Sequence, residues 1–441
     1  MPLLAVLLAA NGGCGFRQLG QNLDRLERAA RVSFTVEGER FGDHPVLAAL
    51  VRDDDMMLTI ETYGVVPATN RLTLYGPPGD YLLVAFQELN YNRLYDPDEP
   101  FAAYGLPTPL VLWSGREIDD LTLTLAPPVD PEAWTPSALV EQGVELSPRL
   151  DDFGAVVDLD DPRFDLEVAR MGMWEPARFI AQNHAGLFLL EEYDPAKTPV
   201  VFVHGIGGTP QHFDALIEDL DPAFQAWVFY YPSALRLELL GDYLQLAIER
   251  LHVVHRPERV AVVAHSMGGL VAWSAVRAHV RDTQKSYLPV LITLNTPLGG
   301  MESAIVGVDR APVVMWSWID LDPRSEYLKT IYEAPLPDDL HYVLFYGVGD
   351  NDDFPLPVPL RVALMGDFIT EGEDVGDQTV SLASQLHPPA VRHVHAIHGY
   401  RATHMGILRD PQVIAKPQRG LAVTQRQSTA CRSTVLSCAM T

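Results

Sequence analysis

Ser266 stands in Ala264-His265-Ser266-Met267-Gly268, after the apolar run Arg259–Ala264 and before an apolar stretch of helical length. Small residues two positions to either side let a strand-to-helix turn close tightly and lift the serine Oγ clear of the backbone. A hydroxyl placed in this way can attack a carbonyl carbon, if a base takes its proton and N–H groups receive the developing oxyanion. The helix starting behind it would add the positive end of its dipole. The competing reading is a serine N-cap on a buried helix.

The other parts such chemistry needs are present. Val200–Val203 runs into His204-Gly205-Ile206-Gly207-Gly208, after which Thr209 and Pro210 read as an N-cap and a first helical residue. Glycines let that backbone approach a substrate, and no P-loop Lys-Ser/Thr follows to suggest a phosphate cradle. For the base, "RHVHAIHGYRATHMGILRDPQVIA" offers His393, His395, His398 and His404. With the last strand placed near 391–397, His393 and His395 fall within it and His398 at its end. His404 follows "GYRAT" in a loop and is the preferred base, with His398 second. Two acids are candidates to orient it: Asp350 in "FYGVGDNDDF", directly after an apolar run, and Asp377 in "GDQTVSLASQL".

These residues sit at the ends of short apolar runs: "PVVFVHG", "AWVFYYP", "RVAVVAH", "PVLITLN" and "HYVLFYG". Amphipathic stretches such as "LRLELLGDYLQLAIERLHVV" lie between them. Continuous apolar strands alternating with helices specify an α/β domain, a mostly parallel sheet covered on both faces, over about 172–415. Ligands of such sheets bind at the carboxyl ends of the strands. Residues 32–126 read instead as short strands and turns, a small all-β sandwich. Residues 127–171 are Pro-rich and acidic, a linker, and 416–441 form a loosely ordered tail.

Of 441 residues, 47% are hydrophobic and 20% charged, with 32 Lys+Arg against 58 Asp+Glu and a net charge of -26. That excess repels phosphate backbones and argues against nucleic acid as a partner. The three cysteines, Cys14, Cys431 and Cys438, lie near the ends, so the body holds neither a disulfide framework nor a Cys-based metal site. No metal or organic cofactor is expected, and nothing specifies an oligomeric state. Glu88, Asn90, Asn92, Asp96 and Glu99 imitate a calcium loop, but Arg93 occupies the turn position, and a loop bonded through its own side chains is expected.

Together the motifs make residues 172–415 resemble a serine lipase or esterase of the α/β-hydrolase superfamily. Ala264 in place of the usual first glycine resembles certain bacterial lipases, and "NTPLGG" fits the same picture. The resemblance implies a chain order of Ser266, Asp377, His404, with the Ile206 and Met267 N–H groups as the oxyanion hole. The D-x-x-V-x-x-x-S pattern from Asp377 is similar to the acid loop of many lipases, which favours it over Asp350. "APVVMWSWIDLDPRSEYLKTIY" falls where such enzymes carry a cap, so Val314, Met315, Trp316 and Trp318 are candidates for an acyl pocket. An ester or lipid substrate follows. Acyl transfer, amide or thioester cleavage, and a non-catalytic surface scaffold are the alternatives. In the all-β region, "PPGDYLLVAFQELNYNRLYDPDEPFAAYG" resembles carboxypeptidase-regulatory or transthyretin-like sandwich modules.

The opening residues, "MPLLAVLLAANGGCGF", contain an apolar run with the length of a signal-peptide core rather than a membrane span. Cys14 after Gly12-Gly13 resembles the acceptor of a bacterial lipoprotein signal, although Asn11 stands where leucine is usual and no basic residue precedes the run. Residues 1–14 are therefore expected to export the chain to the periplasm or to anchor it, through lipid on Cys14, at a membrane surface.

Overall fold

A computed structural model of the chain describes residues 2–42, 44–54, 57–90, 95–96, 98–105, 108–126, 154–282, 287–334, 336–337, 339–349 and 376–415, with backbone alone for 2–14, 53–54 and 57–59. The expected linker at 127–153, the acidic turn from Asp350 to Asp353, the tail with Cys431 and Cys438, and the turn residues Asn92 and Arg93 lie outside the described residues. The Cys14 side chain does too.

The chain opens with helix α1 (Pro2–Glu27) and then eight strands: β1 (Ala30–Gly38), β2 (Val46–Asp54), β3 (Met57–Val65), β4 (Arg71–Gly76), β5 (Gly79–Gln87), β6 (Phe101–Tyr104), β7 (Leu110–Leu112) and β8 (Glu117–Leu125). They form two facing sheets, β4-β1-β8 and β3-β2-β5-β6, with β7 added beside β5. All pairings but β1·β8 are antiparallel. Val32, Phe34 and Val36 of β1 meet Ala48, Leu50, Leu83 and Ala85 across the sandwich, as period-2 alternation dictates.

The larger sheet contains β9 (Gly186–Leu189), β10 (Thr198–Val203), β11 (Phe224–Tyr230), β12 (Ala261–His265), β13 (Val290–Leu294), β14 (His341–Gly347) and β15 (Ala396–Tyr400). Its spatial order is β15-β14-β13-β12-β10-β11-β9, all parallel except β9, which runs antiparallel to β11. Because β10 lies between β11 and β12, the chain reverses its direction of winding there. That switch point opens a crevice at the carboxyl ends of β10 and β12. This is an α/β-hydrolase fold preceded by all-β sheets.

Helices α2 (Leu166–Trp174) and α3 (Pro176–Ala181) precede β9, α4 (Asp214–Glu218) follows β10, and α5 (Leu237–His255) and α6 (Met267–Asp282) flank β12. Between β13 and β14 come α7 (Glu302–Arg310), α8 (Trp316–Leu321) and α9 (Glu326–Thr330), the cap insertion. One side of the sheet buries Leu240, Leu244, Ile248, Leu270 and Trp273 of α5 and α6, the other Phe164, Phe179, Phe213 and Ile407. The domain reaches further back than 172: Val156 bridges to β9, and Leu19 and Leu23 of α1 are buried in the same core. There Phe16 meets Trp174 edge-on at 5.4 Å, and Arg178 N–H donates to Asn22 Oδ1 at 3.1 Å. Among the described residues no helix is long and apolar enough to cross a membrane.

The last strand departs from expectation. A helical turn, Pro388–Val391, occupies its expected start, because Pro388 and Pro389 favour a first turn over a ladder. The strand begins at Ala396, so His393 and His395 precede it and His398 lies within it, its ring 5.2 Å from Phe345.

Candidate active site

Ser266 follows β12 and has φ +55, a left-handed conformation that costs a non-glycine residue about 1–2 kcal/mol. Its surroundings hold it there. A Cβ on Gly268 would stand 2.3 Å from the His204 carbonyl oxygen, so only glycine lets α6 begin against β10. A Cβ on Gly205 would stand 2.7 Å from the Ser266 Cβ, which is how closely the glycine loop approaches the serine. These contacts explain the small-residue spacing around the two motifs and exclude a simple helix N-cap: Ser266 is positioned as a sharp turn between strand and helix.

His404 approaches from the loop after β15. Its Nε2 lies 2.9 Å from Ser266 Oγ, and its Nδ1 lies 2.7 Å from Asp377 Oδ2. An ionised carboxylate only accepts, so the proton belongs on Nδ1, and Nε2 is left to accept from the serine hydroxyl. Asp377 is fully buried, with Oδ1 receiving the Thr379 N–H at 2.9 Å and the Val380 N–H at 2.7 Å. Its carbonyl also accepts the His404 N–H at 2.8 Å. The structure thus brings Ser266, His404 and Asp377 together, and leaves His398 on the edge strand.

Met267 follows the serine and opens α6, and Ile206 follows Gly205, the glycine-loop residue that approaches the serine. Among the described residues, neither N–H is taken up by a hydrogen bond. The loop that carries Ile206 is pinned by residues the sequence reading passed over. Ser233 Oγ accepts the Gly207 N–H at 2.9 Å, Tyr231 OH donates to the His204 carbonyl, and the Tyr231 ring stacks on the His204 imidazole at 4.2 Å. Burial pushes His204 down to about 3, so it stays neutral and its Nδ1–H can serve the Gly205 carbonyl at 2.8 Å. Gln385 likewise ties the acid loop to β14, through Gly347 and the Val380 carbonyl.

In the cap, Met315 and Trp318 are consumed by core packing, leaving Val314 and Trp316 half-buried. Asp320 anchors α8 to the start of α5: Arg236 grips it at 2.7 Å and the Leu237 N–H donates to it at 2.7 Å. In the sandwich, Glu99 accepts the Leu89 N–H at 2.6 Å and the Asp96 N–H at 3.1 Å, while Asn90 donates to Asp96. That is a self-bonded loop. Among the described residues no group of side chains could hold a metal ion.

A family described as "PGAP1-like alpha/beta domain" matches residues 233–311, the stretch from α5 through α7 that includes Ser266. No curated protein sequence matches the chain. Among solved structures, the mature lipase BlEst2 of Bacillus licheniformis is similar at 20% identity, over 50% of this chain and 92% of that one, with a TM-score of 0.36. Aspergillus fumigatus lipase B is similar at 16% identity over 54% of this chain and 56% of that one, TM-score 0.37. Phospholipase PlaB of Legionella pneumophila, solved with thio-NAD, is similar at 17% identity over 43% of this chain and 44% of that one, TM-score 0.35. These likenesses are distant, and it is the strand order with its reversal at β10 that makes the domain of the seven-stranded sheet an α/β-hydrolase fold.

Proposed function

We propose that the protein is a serine hydrolase of carboxylic esters, acting on lipid or other acyl esters through an acyl-enzyme. The observation that carries this reading is the unbroken hydrogen-bonded chain Ser266–His404–Asp377 at the sheet's switch point. Ser266 Oγ attacks the ester carbonyl while His404 Nε2 takes its proton. Asp377 keeps the imidazole in the required tautomer and stabilises its positive form. The Ile206 and Met267 N–H groups receive the oxyanion, and His404 then protonates the leaving alcohol. Water repeats the sequence on the acyl-enzyme, freeing the acid and restoring Ser266. No step calls for a metal or cofactor.

Fluorophosphonate labelling of the purified protein, beside nitrophenyl esters of increasing chain length, tests this. Label on Ser266 and turnover lost in Ser266→Ala are expected. A folded protein that neither labels nor hydrolyses any ester would leave the scaffold reading in its place.

On the same reading, residues 1–14 export the chain and Cys14 carries the lipid that holds it at a membrane. Gly15, the next residue, packs against Trp174 at the end of α2, and Met173 beside it reaches Gly207 of the glycine loop, so an anchor at residue 14 would lie near the site. A lipid there would tether the site close to an acyl substrate. Mass spectrometry of the mature N-terminus decides it, since an unmodified Cys14 in the cell-derived protein removes the anchor.

A further inference from the structure

His404 is held at each of its polar atoms, and two of its partners lie outside the Ser266–His404–Asp377 chain. Its carbonyl oxygen accepts from His265 Nε2 at 2.8 Å and from Asn295 Nδ2 at 3.2 Å. Asn295 Nδ2 also reaches the Thr403 carbonyl at 3.2 Å. His265 is the last residue of β12 and the immediate neighbour of Ser266. Asn295 follows β13 and has φ +47, the left-handed region that asparagine tolerates better than most side chains. Two adjacent interior strands of the sheet therefore reach out to one loop carbonyl.

Both side chains are buried, His265 at 2% exposure and Asn295 at 0%. Polar groups in such places cost free energy unless they are bonded. His265 Nε2 and Asn295 Nδ2 both spend their donors on this loop, although Asn295 Oδ1 has no partner among the described residues. Burial and the neighbouring His404 hold His265 well below the usual histidine range. The neutral ring has a single N–H, and the carbonyl acceptor assigns it to Nε2. The centres of the two rings sit 4.7 Å apart at 49°. Nothing in the acid–base chemistry needs His265, yet its position places the base on the same rigid body as the nucleophile.

We propose that His265 and Asn295 are positioning residues that lock the His404 main chain to the strand ends beside Ser266, so that base and nucleophile keep a fixed separation. This rests on the hydrolase reading above. A loop histidine left to itself would sample positions an ångström or more away, and misplacement on that scale costs about 10²-fold in rate.

The test compares wild type, His265→Phe, His265→Gln and Asn295→Leu, with thermal melts to confirm folding. Glutamine can return an N–H donor to the place of Nε2, and phenylalanine only fills the space. His265→Phe is expected to lower kcat and the rate of fluorophosphonate labelling by about 10²-fold, with KM changed less than about twofold. Asn295→Leu should act in the same direction, and His265→Gln should recover most of the loss. A second readout is independent of turnover: the far-downfield proton resonance of an imidazole Nδ1–H bonded to a carboxylate should be sharp in wild type and in His265→Gln, and broadened in His265→Phe. A folded His265→Phe with wild-type kcat and an unchanged resonance overturns the proposal. So does a His265→Gln as impaired as the phenylalanine variant. A wild type that lacks esterase activity defeats the hydrolase reading instead, and the resonance then decides the anchoring by itself.

Discussion

The seven-stranded and five-stranded sheets are both buried on two faces, but different parts of the chain cover them. The parallel sheet is covered by its own crossover helices, which leaves its carboxyl edge to loops. The five-stranded sheet has the three-stranded sheet on one face and, on the other, a helix from the following domain. Val253 of α5 is buried among Ala49, Val51, Ile60 and Val84, and Arg250 donates to the Tyr63 carbonyl with its guanidinium 4.0 Å from the Tyr63 ring centre. The Ala68 N–H meets the Asp282 carbonyl at 2.7 Å, a further bond between the two regions. At the carboxyl edge of the parallel sheet, Ser266 and Asn295 at positive φ and Gly205 against the serine put strain and close approach beside the Ser266–His404–Asp377 chain. The tight points of the sandwich, Asn70 at φ +61 and Gly38 against the Leu125 carbonyl, lie instead at its turns and strand ends. The sandwich contributes burial. The two regions should therefore separate rate from stability.

The largest effects belong to the first. Ser266→Ala is expected to remove ester turnover by at least about 10⁴-fold while leaving the melt within a degree or two. Asp377→Asn should cost a comparable factor of about 10⁴, because the amide favours the wrong imidazole tautomer. Asp350→Asn should leave kcat/KM unchanged; a loss there with none at 377 would reverse the choice between the two acids. Gly205→Ala comes next, since its methyl would enter the Ser266 side chain, and a fall in kcat of about 10²-fold is expected.

Which of these residues could be read beforehand follows from how local their signals are. Ser266 and the glycine loop are written in runs of five residues, because backbone collision decides each position. His404 and Asp377 are legible as loop residues in the right order, although a separation of 27 positions hides that Asp377 holds His404 by both its carboxylate and its carbonyl. His265 and Asn295 are in plain view within "VVAHSM" and "LITLNT", but only the β12–β13 register aims both at one carbonyl. Neither the role of α1 nor the docking of Arg250 could be read at all. Leu19 and Leu23 find partners more than 150 residues away, and a lone arginine on an amphipathic helix reads as a solvated face. Alternation in the sandwich is obscured for the same reason, since α5 makes the second face of β2 and β5 apolar.

Substitution at that docking surface sharpens the comparison. Val253→Asp would place a carboxylate in an apolar contact and is expected to cost about 3 kcal/mol by denaturant titration. Arg250→Ala, losing the bond and the ring contact with Tyr63, should cost about 2 kcal/mol. Both should keep kcat within about twofold of wild type when measured below their melting range. If either lowers kcat strongly while folded, the sandwich is part of the catalytic arrangement, and the separation fails.

The smallest effect is a pH dependence that should sit in the same place. Burial pushes the Glu249 carboxyl on α5 up to about 8, with the Asp282 charge adding to the shift and the Gln245 bond opposing it. Glu99, in the sandwich, is raised to about 7, again mainly by burial and against two backbone N–H bonds. A carboxyl raised on folding favours the folded state while it is protonated. Its contribution is complete below the ordinary value of 4.5 and is lost as pH climbs through about 7 for Glu99 and about 8 for Glu249. The melting temperature should therefore fall between pH 5 and pH 8.5, by roughly 5 °C. Glu249→Gln, which keeps the shape without the charge, should flatten the upper part of that slope and leave ester turnover at pH 8 unchanged. A slope that survives the substitution would move the titration elsewhere, and a loss of turnover would mean that strain at the docking helix reaches Ser266 through α6.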